Sequence, residues 1–473
     1  MNIDVNLTAR PAKPAVAVQH IIKGELVEGD VTSYSGRQPF TTPRIDIDTL
    51  TWSRREPGPA FDVPLNEIFD LLAATGERLR DDPDGYVAEA LDRMTETCSL
   101  ERRIVENLYQ DLPAMFLDRK GLEYRLTREL GSLAFLDGWV QERLTTGYEL
   151  RVRAFPPRML HVMAGNVPAL AAMTIIQGAL TKGVHLLKMP SNDLFTAPAV
   201  LRTMAKVAPN HPTLRSFSAV YWRGGDAEIE SRICHPQFFD KIAAWGGEGA
   251  IRGIKKYTGP GLELITFDPK TSLSLLGRDT FKSEQTIAEA AELGAIDATY
   301  FDQSACTSSR FQFVEGTTEQ VDKYCEQLHA NILKERRYTA AACFRVPTDL
   351  REEIDGLKMM DSDFRVWGKY DGSGIVVRSE DPVEFHPNGK IVNVVRVDSI
   401  IDAVKYASVA TSTAGIYPSA LKAQLRDPLA SAGAQRIVDL GLSLSAGNGA
   451  PHDGFWPMNR FMKWISEEGP MQA

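Results

Sequence analysis

Cysteine is scarce in this sequence, and none of it is spaced to bind a metal or staple a fold. Cys98, Cys234, Cys306, Cys325 and Cys343 are scattered over 473 residues. Their number is odd and their spacing matches no metal site, so a reduced, cytoplasmic protein is expected. There is no long uncharged apolar run, which excludes a membrane-spanning helix. The N-terminus lacks the basic segment and apolar core of a secretory signal. Positive charge is in deficit, with a net charge of -9, which argues against a nucleic-acid partner. The G-x-G-x-x-G fingerprint is also missing, so a dinucleotide would not be held by the standard Rossmann turn.

The rest of the composition, 43% hydrophobic and 24% charged, is that of an ordinary globular protein. Its length predicts two or three domains. Residues 1–64 are rich in Pro, Thr and charge and read as an extended N-terminal arm with short strand-like pieces such as Val16–Ile22. From Leu65 apolar residues recur at helical spacing over 66–74, 86–97, 100–108 and 122–136, which predicts a helical layer. From Arg158 short apolar runs alternate with helices. Strands are expected at 159–163, 184–188, 217–221, 241–244 and 262–267, with helices at 169–180, 195–207, 227–234 and 249–257. Runs apolar on both faces, separated by helices, predict a doubly wound parallel sheet. Ligands of such sheets bind outside the carboxyl ends of the strands.

The loops at those ends are Ala164-Gly165-Asn166-Val167-Pro168, Lys188-Met189-Pro190-Ser191, Arg223-Gly224-Gly225-Asp226 and Trp245-Gly246-Gly247-Glu248. Glycines before a helix let backbone N–H groups approach a phosphate, although glycine pairs also simply make turns. Alternation resumes over 272–450, with a strand at 391–395 and helices at 399–408 and 419–431, and predicts a second α/β domain. Residues 451–473 then return to the cleft.

One stretch, 295–314, sets Cys306 in a turn of small polar residues between a helix at 283–293 and a strand carrying Phe311, Phe313 and Val314. Helix-terminal N–H groups would lower a thiol displayed there toward thiolate and make it a nucleophile. The alternative is a small buried core residue.

The segment 219–254, AVYWRGGDAEIESRICHPQFFDKIAAWGGEGAIRGI, together with Cys306, resembles the aldehyde dehydrogenase superfamily. The closest likeness is to its acyl-CoA reductase branch, typified by the reductase of the fatty acid reductase of luminous bacteria, and it runs from about Tyr148 to Glu468. The resemblance implies an aldehyde dehydrogenase-like α/β fold of two doubly wound domains, 65–271 for cofactor and 272–450 for catalysis. It implies Cys306 as nucleophile, Asn166 at the oxyanion, Lys188 at the adenosine ribose, and Gly225, Gly246 and Gly247 at the pyrophosphate. Glu384, in Val-Glu-Phe-His-Pro, falls near a glutamate that steadies the nicotinamide ribose, and is as readily a solvated loop carboxylate. His452, in the turn His452-Asp453-Gly454, suits proton transfer, and the turn geometry alone explains it equally well.

Two departures from the superfamily carry the expected activity. Thr266 stands where oxidative members have the glutamate that activates water, and a hydroxyl cannot act as that base near neutral pH. Asp268 could replace it only if the strand ran on through Pro269. Ser191 stands where NAD-preferring members have a glutamate that repels a 2′-phosphate, which favours NADPH, although Ser191 would equally cap the next helix. The expectation is NADPH-dependent reduction of a long-chain acyl-CoA to the aldehyde through a Cys306 thioester. The alternatives are an oxidative aldehyde dehydrogenase and a cysteine acyltransferase or thioesterase without redox chemistry. The resemblance also implies a homo-oligomer and an acyl-activating synthetase as partner.

Overall fold

The computed structural model describes residues 14–36, 38–145, 149–343, 346–360, 363–445 and 447–469. The first thirteen residues of the expected arm, Tyr148, and the end of the C-terminal segment from Pro470 lie outside them. Two seven-stranded sheets dominate. In the first, five parallel strands run in the spatial order Glu263–Phe267, Lys241–Trp245, Arg158–Val162, Val184–Lys188 and Phe217–Val220. The strand Arg158–Val162 is buried at every position, as the continuous apolar pattern required. Chain order proceeds from it to one side, then returns to add Lys241–Trp245 on the other. The switch point therefore lies between these two strands, and the loops bearing Asn166 and Gly246-Gly247 flank it.

The N-terminal segment is not the extended arm expected. His20–Ile22 pairs antiparallel with Phe217–Val220, and Glu25–Val27 pairs with His20–Ile22, so the segment completes the first sheet. The His20 ring is fully buried and its Nε2 accepts a hydrogen bond from the Tyr221 backbone N–H at 2.9 Å. Burial pushes its pKa down to about 4, which keeps that nitrogen free to accept. These two strands are three residues each, and they are defined by pairing with each other and with Phe217–Val220.

The helical layer is present as Leu65–Asp81, Tyr86–Thr97, Arg102–Leu117 and Arg119–Leu130. The second sheet runs Arg365–Lys369, Gly374–Ser379, Ile391–Val397, Ser309–Glu315, Thr271–Leu276, Thr411–Tyr417 and Arg436–Asp439, parallel except for the first pair. A Ser283–Thr286 capping box starts the helix Glu284–Thr299 that leads to Cys306. The helix expected at 399–408 is a tighter 3-10 turn, Ile400–Tyr406. The C-terminal segment contains a short helix, Pro457–Phe461, and a strand, Lys463–Gly469, which pairs with Glu149–Phe155.

Asp297, fully buried near the end of that helix, accepts hydrogen bonds from the backbone N–H groups of Gly441 and Ser443, both at 2.9 Å. It thereby ties the chain leading to the C-terminal loop onto the helix that precedes the cysteine. Asp297→Ala leaves both donors buried and unpaired and should lower stability by about 2–4 kcal/mol. Urea unfolding reads this as a shift in midpoint, and an unchanged midpoint would show that the tie contributes nothing.

Candidate active site

Cys306 is displayed by an uncommon backbone. After the helix Glu284–Thr299, Phe301, Asp302 and Gln303 adopt left-handed φ angles of 51°, 49° and 71°. Each such non-glycine residue costs about 1–2 kcal/mol, so the run needs external support. Phe301 N–H donates to the Tyr338 carbonyl at 2.9 Å, Asp302 Oδ1 accepts from Ala340 N–H at 2.9 Å, and Gln303 Nε2 donates to the Ile391 carbonyl at 2.7 Å. Arg310 Nη2 donates to the Gln303 carbonyl at 2.6 Å, and its Nη1 donates to the Pro387 carbonyl. The reversal brings Cys306 out of the core at the edge of a cavity, while Ser272 Oγ donates to its carbonyl at 2.8 Å.

That cavity measures about 550 Å³, within the range of small-ligand sites. One wall is apolar: Ala114, Met115 and Leu122 from the helical layer, with Met173 and Ile176 from the helix Ala169–Thr181. The reacting end holds Cys306, Thr307, Ser412, Arg436, His452 and Asp453. Asp453 Oδ2 is ion-paired with Lys270 Nζ at 3.1 Å, and both side chains are nearly buried. His452 Nε2 lies 3.9 Å from Asp453 Oδ1. Its ring sits 5.2 Å from both Trp245 and Phe267, which stack on each other at the ends of their strands.

The electrostatics differ from the sequence-based expectation of a depressed thiol. Burial first, and then the Asp453 carboxylate, push the Cys306 thiol above its ordinary range. The Cys306 backbone N–H, the Ser412 hydroxyl and Arg436 pull the other way. Helix-terminal N–H groups are not what acts on it, because the helix ends before the left-handed run. Burial also lowers the His452 pKa, with Asp453 opposing and Arg125, Arg436 and Lys270 adding to the fall. The imidazole is therefore neutral near neutral pH and able to accept a proton.

Of the nine residues named from sequence, the cavity brings together Cys306 and His452. Asn166 is exposed on the loop after Arg158–Val162 and does not line it. Lys188 ends its strand buried, with Nζ 5.7 Å from the Tyr221 ring and 5.6 Å from the Trp222 ring. Ser191 lines a separate cavity. The Gly225 N–H is taken by Glu230 Oε1 at 3.0 Å. Gly246, at φ 146°, and Gly247 open the helix Glu248–Lys255, which no side chain caps. Its first N–H groups have no partner within the helix and suit a phosphate. Glu384 is exposed in a loop whose Pro387 is tied by Arg310 to the cysteine turn. Thr266 is half-buried in Glu263–Phe267, and that strand ends before the exposed Asp268. Sequence reading missed Lys270, Thr307, Arg310, Ser412, Arg436 and the cavity residues of the helical layer. Asp453 could have been found, since it adjoins His452.

A family described as "Acyl-CoA reductase (LuxC)" matches residues 60–464. A "Long-chain acyl-protein thioester reductase" of Photorhabdus laumondii is 32% identical over 422 residues, covering 86% of this chain and 82% of the relative. A NAD-dependent benzaldehyde dehydrogenase from Corynebacterium glutamicum superposes with a TM-score of 0.69 at 14% identity, covering 95% of this chain and 98% of the other. The NADP-dependent glyceraldehyde-3-phosphate dehydrogenase of Bacillus halodurans C-125, complexed with NADP, gives 0.70 at 12% identity, covering 96% and 100%. These likenesses establish an aldehyde dehydrogenase-like fold with two parallel-sheet units.

The charges around the thiol give a direct test. Asp453→Asn removes the negative charge that disfavours thiolate, so the pH profile of Cys306 alkylation by iodoacetamide should move to lower pH. Arg436→Gln removes a favourable charge and should move it to higher pH. Peptide mass mapping follows Cys306 alone, and shifts of the same sign in both variants would refute this assignment of charges.

Proposed function

Since the chain belongs to the LuxC acyl-CoA reductase family, we propose that it reduces a long-chain acyl thioester to the aldehyde through a thioester on Cys306, with NADPH as reductant. The observation that carries this reading is an accessible thiol at the edge of a cavity with an apolar wall. The acyl donor is a thioester of CoA or of a carrier protein. The family description names the first and the relative's name the second, and both present the same reacting carbonyl.

Neutral His452 takes the Cys306 proton, and the thiolate attacks the carbonyl carbon. The Thr307 hydroxyl, buried at the cavity without a hydrogen-bond partner, donates to the oxyanion, a place the exposed Asn166 amide does not share because it stands outside the cavity. The carbon–sulfur bond to the donor breaks, and His452 returns its proton to the departing thiolate. Gly246-Gly247 and the uncapped helix behind them receive the pyrophosphate. When bound, NADPH supplies the hydride that takes the thioester to the aldehyde level. The hemithioacetal then releases aldehyde and restores the Cys306 thiolate. Lys270 holds the Asp453 carboxylate in an ion pair, and Thr266 offers no carboxylate, so no free carboxylate stands ready to activate water against the acyl-enzyme. The family's oligomers and synthetase partner are carried over as part of the same proposal.

Cys306→Ala should abolish covalent acylation by labelled acyl-CoA, read by intact-protein mass, while nucleotide binding persists. A retained adduct would place the nucleophile elsewhere.

Thr266→Glu should divert the acyl-enzyme to hydrolysis. General-base assistance is typically worth about 10²–10⁴-fold, so even a poorly aimed carboxylate should visibly speed release of free acid from enzyme loaded without NADPH. Rapid acid release by the unmodified enzyme would instead favour the oxidative dehydrogenase.

A further inference from the structure

A separate cavity, of about 220 Å³, lies at the amino ends of Arg158–Val162 and Val184–Lys188, beside the start of Lys463–Gly469. The rings that meet His452 stand at the carboxyl ends of their strands, and the two cavities share no lining residue. Residues 54–58 of the N-terminal segment form one wall. Another is apolar, with Pro156, Pro157 and the rings of Phe61 and Phe155, whose centres are 5.4 Å apart.

On a chain of net charge -9 this lining is basic: Arg54, Arg55, Arg158, Lys182 and Lys463 stand against Glu56 and Asp240. Much of that charge is answered within the protein. Asp240 Oδ1 pairs with Arg54 Nη1 at 2.9 Å and with Lys463 Nζ at 3.2 Å. Lys182, at the C-terminal end of Ala169–Thr181 where a cation is favoured, is ion-paired with Asp137. Two guanidinium groups are left over. Arg158 is buried and donates to the backbone carbonyls of Trp52, Ser53 and Glu56 at 2.6, 2.6 and 3.0 Å. Three of its five N–H donors are thus taken, all by neutral acceptors. Asp240 Oδ2 is spent on the Arg158 backbone N–H at 2.9 Å. Burial first, and then Arg54, disfavour the charged guanidinium, with Asp240 opposing, so a further anion beside it is stabilising. Arg55 is exposed at the same cavity, and among the described residues its guanidinium has no ion pair or hydrogen bond.

We propose that this cavity binds a small phosphate monoester, with the phosphate on Arg158 and Arg55 and the carbon part against Phe61 and Phe155. Planar guanidinium forks match phosphate oxygens, and the apolar wall suits the carbon part of an ester, which inorganic phosphate lacks. The occupant joins three parts of the chain: the N-terminal segment, the amino ends of the first sheet and the C-terminal strand. Nothing in this site depends on the acyl thioester or its reductant.

The test uses the full chain and two probes, glycerol 3-phosphate and inorganic phosphate, with affinities measured by calorimetry at one fixed ionic strength. Glycerol 3-phosphate should bind saturably and more tightly than inorganic phosphate. Arg55→Gln, at an exposed loop position, should weaken both by about tenfold, and Arg55→Glu by more. Arg158→Lys keeps the charge and loses the fork, and should weaken both by about ten- to a hundredfold. Thermal unfolding without ligand checks that each variant is folded. Absence of saturable binding, or affinities unchanged in Arg55→Gln, would overturn the site, since phosphate held at the helix behind Gly246-Gly247 is indifferent to Arg55. Inorganic phosphate binding as tightly as glycerol 3-phosphate would overturn the ester. Neither probe requires turnover, so a failure here leaves the reductase reading standing.

Discussion

The left-handed run Phe301–Asp302–Gln303 is the constraint on which the site depends. It reverses the chain between Glu284–Thr299 and Ser309–Glu315 and leaves Cys306 exposed at the cavity. Three adjacent left-handed residues are unfavourable in isolation, so they persist because neighbouring elements over-determine them. The same neighbours join the site to the rest of the molecule. The segment Tyr338–Ala340 that receives the turn is itself held by Arg103, whose guanidinium donates to the Arg336 and Thr339 carbonyls at 3.1 and 3.0 Å. Arg103 belongs to Arg102–Leu117, the helix that also supplies Ala114 and Met115 to the cavity wall. One helix thus supports the backbone that presents Cys306 and lines the cavity beside it.

Charge around the thiol is balanced rather than activating. Burial and Asp453 oppose the thiolate, while Ser412 and Arg436 favour it. Lys270 pairs with Asp453 and so shields part of that opposing charge. A thiol kept largely protonated until a base removes its proton is less exposed to oxidation than a standing thiolate. His452, the base proposed for that step, sits against Trp245 and Phe267 at the ends of two first-sheet strands. Gly246-Gly247 follow directly after Trp245, so the glycine loop starts beside a ring in contact with the imidazole that shares a cavity with Cys306.

The first sheet was largely legible from sequence because its strands are apolar on both faces and separated by amphipathic helices; Val184–Lys188 and Tyr86–Thr97 fall at the predicted boundaries. Cys306 was legible because small polar residues interrupt a helix-to-strand passage. What escaped depends on distant pairing. His20–Ile22 is three residues long and becomes a strand only through its pairing with Phe217–Val220 and Glu25–Val27, and Lys463–Gly469 is a strand because Glu149–Phe155 is beside it. Arg436 and Ser412 could not be assigned to the cysteine from sequence, since each lies more than a hundred positions from it and carries no local signature. Asn166 shows the converse. Its motif was legible, yet its side chain stands outside the cavity that holds Cys306.

Strand pairing places one loop near each end of the described residues beside a cavity. The strand Lys463–Gly469 anchors the C-terminal segment on Glu149–Phe155, which holds the preceding loop, with His452 and Asp453, over Cys306. The strands His20–Ile22 and Glu25–Val27 anchor the N-terminal segment on the first sheet, and Ser33, Tyr34, Ser35 and Phe40 line a cavity with Ser191 and Arg223. Both loops lie away from the barriers of the core and are placed by strand pairing at a sheet edge. Pairing of this kind fixes a backbone in register while leaving the loop beyond it free to vary in sequence.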